Sequence, residues 1–213
     1  MLERKAYSNR EEWLSGRTAS IGASEAAAAI GLSPFETQHE LWERKTGQRE
    51  SKDLSGNAAV EYGNRLEPCL RSMFQAEHPE LTVEYHQFDV LYQSERPWMT
   101  ATLDGELTDE QGRKGILEIK TSSIGKKAQW DAWRDAIPMH YLSQVCQQLY
   151  VTGWDYAYLY AKLLKLNGDS ELRTYRIERG EHEEDIRWLV SEIDKFWKLV
   201  ETRTPPPTIL KAL

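Results

Sequence analysis

Apolar positions along the chain recur with two periods, and each period predicts its own set of elements. Ile186, Leu189, Val190, Ile193, Phe196 and Trp197 return every three or four residues, which predicts an amphipathic helix over residues 181–200. Residues 57–76 repeat that spacing with Val60, Leu66, Leu70, Met73 and Phe74. Pro68 has no N–H to donate, so a kink or a fresh first turn is expected there. Glu67 would then stand at a helix start, either facing a sheet or simply complementing the helix dipole. Residues 139–152, stopped by Gly153, predict a third strong helix in which Gln144 and Gln148 share one face with Tyr141. Such a polar stripe either faces a site or is exposed, as Gln on a helix commonly is.

Shorter helices are expected at residues 9–16 behind an Asn9 cap, at 21–31 and at 37–47, the last with Leu41 and Trp42 inward. The 21–31 segment is Ala-rich, capped by Ser24 and closed by Gly31. A Ser at a helix start beside Gly22 also suits an anion, because free N–H groups point outward there, although plain capping is the more frequent role. Residues 48–55 read as a polar linker.

The second period is two. Residues 81–92 alternate as one or two strands, residues 98–103 lead into a hairpin, and residues 155–164 and 172–177 pair around the Asn167-Gly168 turn. Residues 121–127, with Ser122, Ser123, Lys126 and Lys127, read as a loop whose hydroxyls and ammoniums either hold phosphates or are merely solvated. The tail from Thr204, with Pro205, Pro206 and Pro207, leaves the last helix in an extended form, packing on the domain or on a neighbouring subunit.

One strand breaks the apolar rule. Residues 115–120 begin Gly-Ile-Leu and then carry Glu118 and Lys120. Alternation sends those two to one face and Leu117 and Ile119 to the other, and a hairpin through the polar turn at residues 108–112 brings Asp104 beside them. Two carboxylates and an ammonium at the edge of an apolar sheet suit a hard cation, Mg²⁺ or Mn²⁺, and a phosphodiester hydrolysis in which Lys120 orients water or offsets negative charge. The same residues also fit a solvent-facing hairpin with an ordinary cross-strand ion pair.

Composition narrows the partners. At 213 residues, with 40% apolar and 29% charged residues, the chain is long enough to bury a proper core. Its net charge of −7 excludes a generally basic nucleic-acid coat, so any DNA contact must rest on local basic groups or bound metal. Cys69 and Cys146 lie far apart without zinc-type spacing and read as buried thiols. No apolar run reaches the roughly 18 residues of a membrane span, no signal-peptide core is evident, and a cytoplasmic location is expected, in a bacterium or a phage-infected cell. There is no Walker-type loop, so ATP is not implied.

Ordered pieces then add up to a resemblance. They are residues 13–17 followed by Ile21-Gly22-Ala23-Ser24-Glu25-Ala26; Leu41-Trp42 with Lys45-Thr46-Gly47; Gly63-Asn64-Arg65-Leu66-Glu67-Pro68; Leu103-Asp104-Gly105; Glu118-Ile119-Lys120; and Tyr141-Leu142-Ser143-Gln144-Val145. Over residues 13–153 the chain resembles the PD-(D/E)XK nuclease superfamily, specifically lambda-phage-type exonucleases and the YqaJ viral recombinase domain family. The resemblance implies an α/β (α+β) fold of restriction-endonuclease type, with a central mixed sheet flanked by helices. It places a single nuclease domain at residues 1–203 and a Pro-rich tail at 204–213.

Carried over residue by residue, the resemblance makes Asp104, Glu118 and the Ile119 carbonyl metal ligands, with Glu67 a further acid in the metal shell. Lys120 positions or activates the attacking water, and Gln144 holds the site or the substrate near the scissile phosphate. Arg17 and Ser24 match the pair that receives the 5′-terminal phosphate. Lys126 falls in a loop where an Arg is more typical, and Lys lacks that bidentate fork. Leu103 stands where the superfamily's name has Pro.

The implied activity is a Mg²⁺-dependent exonuclease, with Mn²⁺ as a substitute. It digests one strand of linear duplex DNA from 5′ to 3′ and leaves a 3′ overhang for a single-strand annealing protein. A ring-shaped homotrimer is implied too. Alternatives on the same fold are a structure-specific or nicking endonuclease and a non-catalytic DNA-end-binding module.

Overall fold

Strand pairing and helix packing both follow from which faces are apolar. In chain order the elements of the computed structural model are β1 (Leu2–Ala6), α1 (Arg10–Gly16), β2 (Ile21–Gly22), α2 (Ala26–Ala29), α3 (Gln38–Lys45), α4 (Ala58–Glu77), β3 (Thr82–Glu84), β4 (Asp89–Gln93), β5 (Arg96–Ala101), β6 (Gly105–Thr108), β7 (Lys114–Ile124), α5 (Lys127–Ala132), α6 (Met139–Thr152), β8 (Tyr156–Lys165), β9 (Ser170–Glu178) and α7 (Glu183–Glu201). The structure describes residues 1–51, 56–134 and 136–207. The end of the expected polar linker, residues 52–55, and the end of the Pro-rich tail, residues 208–213, lie outside them.

The expected mixed sheet flanked by helices forms, and a second, smaller mixed sheet stands beside it. The larger has the order β3-β6-β7-β8-β9, with β7 and β8 parallel and the other pairs antiparallel. The smaller has the order β1-β4-β5-β2. Its edge strand β1, Leu-Glu-Arg-Lys-Ala, carries no apolar alternation and is held by backbone pairing to β4.

Parallel neighbours need a crossover, and α5 and α6 supply it between β7 and β8. Strands β7 and β8 are covered on both faces, so their alternate residues belong to two different cores. Ile116 of β7, with Ala157, Leu159, Ala161 and Leu163 of β8, packs with Val145 and Leu149 of α6 and with Ile186, Leu189, Ile193 and Phe196 of α7. Leu117 and Ile119 of β7, with Tyr156, Tyr158 and Tyr160 of β8, pack with Leu70 and Phe74 of α4. Glu118 shares the parity of Ile116 and therefore points to the α6 side.

Four expectations need correction. Helix α4 runs unbroken through Pro68, so Glu67 sits in mid-helix and not at a start; Asn57 caps it, accepting from Ala59 and Val60. Its hold on the sheet through Leu70 and Phe74 outweighs the local break. The Ala-rich helix is only Ala26–Ala29, and Ser24 lies in the preceding 3₁₀ turn, where it caps nothing. Strand β7 continues to Ile124 because β8 pairs with it along its length, to Ile124 opposite Lys165, so residues 121–124 are strand and not loop. Cys69 is exposed, whereas Cys146 is buried, and burial pushes its thiol up to about 12.

Candidate active site

Strand β6 ends opposite Leu117, with Gly105 as its last partner, while β7 runs on for seven more residues paired only to β8. Asp104 stands at that step. Its Oδ2 accepts the Ile119 N–H at 2.7 Å, which takes the place of a strand partner. A residue in an extended strand sends its N–H and C=O to the same edge, so the Ile119 carbonyl faces the Asp104 side as well.

Glu118, 2% exposed, is held from three directions. Gln144 Nε2 donates to Oε1 at 2.6 Å and Gln148 Nε2 to Oε2 at 2.6 Å. Lys120 Nζ lies 2.6 Å from Oε1, on the same strand face. The Gln148 amide also donates to the Thr102 carbonyl at 3.1 Å, tying α6 to the segment just before Asp104. A buried carboxylate with this many donors is held in a single orientation.

Helix α4 contributes from the other side. Arg71 donates from Nε to the Asp104 carbonyl and from Nη2 to Glu67 Oε1, both at 2.5 Å, with its guanidinium 3.6 Å from the Tyr85 ring centroid. Burial pushes the Glu67 carboxyl up, an effect that Arg71 opposes and Glu118 reinforces. Burial, then Glu118 and Glu67, hold Asp104 well above the usual carboxylate range. Burial works against the Lys120 ammonium, but Glu118 and Asp104 outweigh it, and its pKa is raised.

Both halves of the expected site line one cleft of about 940 Å³: Glu67, Asp104, Glu118, Ile119, Lys120 and Gln144 with Arg17 and Ser24. Arg17 Nη2 donates to Ser24 Oγ at 2.9 Å, and the guanidinium lies 4.6 Å from the ring of Trp13, one turn earlier. It also lies over Gly22, where a Cβ would come within 2.9 Å of Nη2 and push the guanidinium aside. Lys126 is not brought to this cleft. It precedes α5 and lines a separate depression of about 520 Å³ with Lys127, Trp130 and Lys165.

The donor set bears on a metal. Asp104 Oδ1 has no hydrogen bond among the described residues, and three carboxylates face the two cations Lys120 and Arg71. Burial first, and the neighbouring carboxylates after it, raise the Asp104 and Glu67 carboxyls, and hard oxygen donors fit a divalent cation that would offset the carboxylate charge. Asp104, Glu118 and the Ile119 carbonyl fit such a site. Glu67 fits less well, since its Oε1 is spent on Arg71, and among the described residues no three His, Cys, Asp or Glu side chains gather as a ready cage.

Sequence reasoning passed over Arg71, and it left Gln148 on a polar stripe that either faces a site or is exposed; the structure turns that stripe to the site. Each carried a signal: Gln148 follows Gln144, and Arg71 follows Glu67, by the four residues that share a helix face.

Comparison with known proteins bears on the family and the fold. The model of the YqaJ-like viral recombinase domain matches residues 12–155. The uncharacterized protein YqaJ of Bacillus subtilis (strain 168) is 30% identical over 197 residues, which is 92% of this chain and 58% of that protein, so the chain spans less than two thirds of that relative's length. Among solved structures, an alkaline exonuclease from Laribacter hongkongensis, LHK-Exo, aligns with a TM-score of 0.68 at 20% identity, covering 92% of this chain and 94% of its own. A phage-related exonuclease from Haemophilus somnus 129PT aligns with a TM-score of 0.53 at 17% identity, covering 86% and 96%. At these identities the likeness is one of fold. Among the described residues no helix is long and apolar enough to cross a membrane.

Proposed function

The chain belongs to the YqaJ-like viral recombinase domain family, and from that premise we propose that it is a DNA nuclease that hydrolyses phosphodiester bonds at duplex ends. The observation that carries this reading is the single cleft in which the Asp104–Glu118–Lys120 cluster and the Arg17–Ser24 pair face the same space. One group is suited to breaking a phosphodiester and the other to receiving a terminal phosphate.

Asp104, Glu118 and the Ile119 carbonyl would hold Mg²⁺, with Mn²⁺ as a substitute. When bound, the ion supplies Lewis-acid polarisation of the phosphoryl oxygen and acidifies its water. The chain's own groups do the rest. Lys120, kept protonated by Glu118 and Asp104, acts as a donor that orients water and offsets charge on the phosphorus oxygens, not as the proton acceptor. Gln144 and Gln148 fix the Glu118 carboxylate, and Arg71 fixes the main chain at Asp104.

Water adds to phosphorus, and the bond to the 3′ oxygen of the terminal nucleotide breaks. The shortened strand then begins with a new 5′-phosphate, the group that Arg17 and Ser24 suit. This recurrence supports digestion from 5′ to 3′ with a 3′ overhang left for an annealing protein. The ring-shaped trimer that the family resemblance implies belongs to the same reading.

Digestion of linear and closed-circular duplex, labelled at either end, with Mg²⁺ and with EDTA, tests it. We expect Mg²⁺-dependent release of nucleotides from the 5′ label of linear DNA only. Cleavage of closed circles would replace the reading with an endonuclease, and no product from any DNA would leave an end-binding module.

A further inference from the structure

We propose that Lys45 is a positioning residue for 5′-phosphate recognition: by occupying the buried carboxylate of Glu25 it leaves the charge of Arg17 free for an anion. This rests on the nuclease reading above and names a residue outside the cleft on which end selection depends.

The Lys45 side chain is 1% exposed. Its Nζ lies 2.8 Å from Glu25 Oε2 and donates to the Arg17 carbonyl at 3.1 Å and to the Ser20 carbonyl. An ammonium has three N–H donors, and here three acceptors take them, so none is left for a DNA phosphate. Glu25 is equally committed. Its Oε2 also accepts the Gly22 N–H at 2.9 Å, and its Oε1 accepts Arg44 Nη1 at 2.7 Å. Arg44 in turn grips Glu36 with two bonds of 3.0 and 2.8 Å.

The row Glu36, Arg44, Glu25, Lys45 therefore alternates in sign, two carboxylates against two cations. Arg17 lies beside it without joining it. Its guanidinium bonds to the neutral Ser24 hydroxyl and rests on Trp13, and it makes no ion pair among the described residues. Yet Glu25 follows Ser24 directly in the chain and is close enough for its charge to act on Arg17. A buried carboxylate that loses a cation seeks another, and a guanidinium fork is the geometry it takes best. Without the Lys45 ammonium, Glu25 is left beside Arg17, whose guanidinium lies over the Gly22 that donates to Glu25, and a carboxylate bonded to Arg17 would occupy the donors a phosphate needs.

The test compares Lys45→Met, the double variant Lys45→Met with Glu25→Gln, and Arg17→Ala. Each is assayed for digestion of the same linear duplex with a 5′-phosphate or a 5′-hydroxyl, and for binding of both duplexes by fluorescence anisotropy in EDTA. We expect Lys45→Met to lose the preference for phosphorylated ends by tenfold or more, as Arg17→Ala does, with kcat on hydroxyl ends unchanged. We expect the double variant to regain that preference. Retained preference in Lys45→Met overturns the proposal, and so does equal loss in the single and double variants, which marks Lys45 as structural only. If Lys45→Met does not fold, Glu25→Gln alone is expected to keep or strengthen the preference, and its loss there is equally decisive. The binding arm needs no turnover: a wild type that never degrades DNA refutes the nuclease reading, while anisotropy still reads phosphate selection.

Discussion

Gln148 donates to Glu118 Oε2 at 2.6 Å, on the oxygen opposite the one that Gln144 and Lys120 share. The pair sets the roll of the carboxylate about its last bond. Gln148→Leu leaves that buried oxygen and the Thr102 carbonyl short of a donor, at about 1–3 kcal/mol. We expect a lower melting temperature and a fall in kcat of tenfold or more, with KM for DNA little changed. Steady-state kinetics with a melting curve check this, and a rise in KM alone would contradict it.

Lys120 is a donor in this site and not a ligand. Lys120→Ala is expected to retain Mg²⁺ or Mn²⁺ binding by calorimetry while turnover drops by about a hundredfold or more, the usual cost of a lost donor at developing charge. Loss of cation binding in the variant would contradict the role.

Asp104 links stability to pH. Its carboxyl is raised, by burial first and then by Glu118 and Glu67, so the native chain holds that proton more tightly than the unfolded chain does. The stabilisation is therefore fully present below the unfolded value of about 3.9 and is lost as pH rises through the folded value. Asp104→Asn cannot ionise and still accepts the Ile119 N–H. In EDTA we expect it to melt above wild type at neutral pH, with the gap closing toward acid. Added Mg²⁺ should raise the wild type and leave the variant unmoved. A variant that melts lower at every pH would refute the sign.

Gln147 is fully buried and its amide donates to the Ile21 carbonyl at 2.8 Å and the Thr100 carbonyl at 2.9 Å, joining α6 to β2 and β5. Gln147→Leu takes a donor from both carbonyls and leaves Ile21 with the Thr100 hydroxyl at 3.5 Å. A loss of about 1–3 kcal/mol is expected by denaturant titration, with hydrogen exchange faster around β2.

The residues that line the cleft were more legible in the sequence than the edge strands. Charge in an apolar strand marked Glu118 and Lys120, and α6 has the bounds, Met139–Thr152, that Gly153 and the apolar period predict. Edge strand β1 of the smaller sheet left no such trace, because it pairs through its backbone and its side chains carry no pattern. Helix α4 passes through Pro68 because tertiary contacts with the β8 tyrosines decide it, which local propensity does not register. Lys126 was placed by its position after the Glu118-Ile119-Lys120 strand, but the extension of β7 to Ile124 carries it to a different depression. The burial of Lys45 against Glu25, twenty residues away in the chain, is a fact of packing alone.

The step where β6 stops and β7 continues has a second consequence, for the company the molecule keeps. An open strand edge offers its N–H and C=O groups to any passing chain. Here Asp104 plugs the Ile119 N–H and charged groups crowd the gap. On the proposed function, the acids that serve the cleft also place charge at an open strand edge, which disfavours pairing with another chain. Asp104→Ala removes both at once, and a loss of soluble protein in that variant would be easy to mistake for a loss of activity.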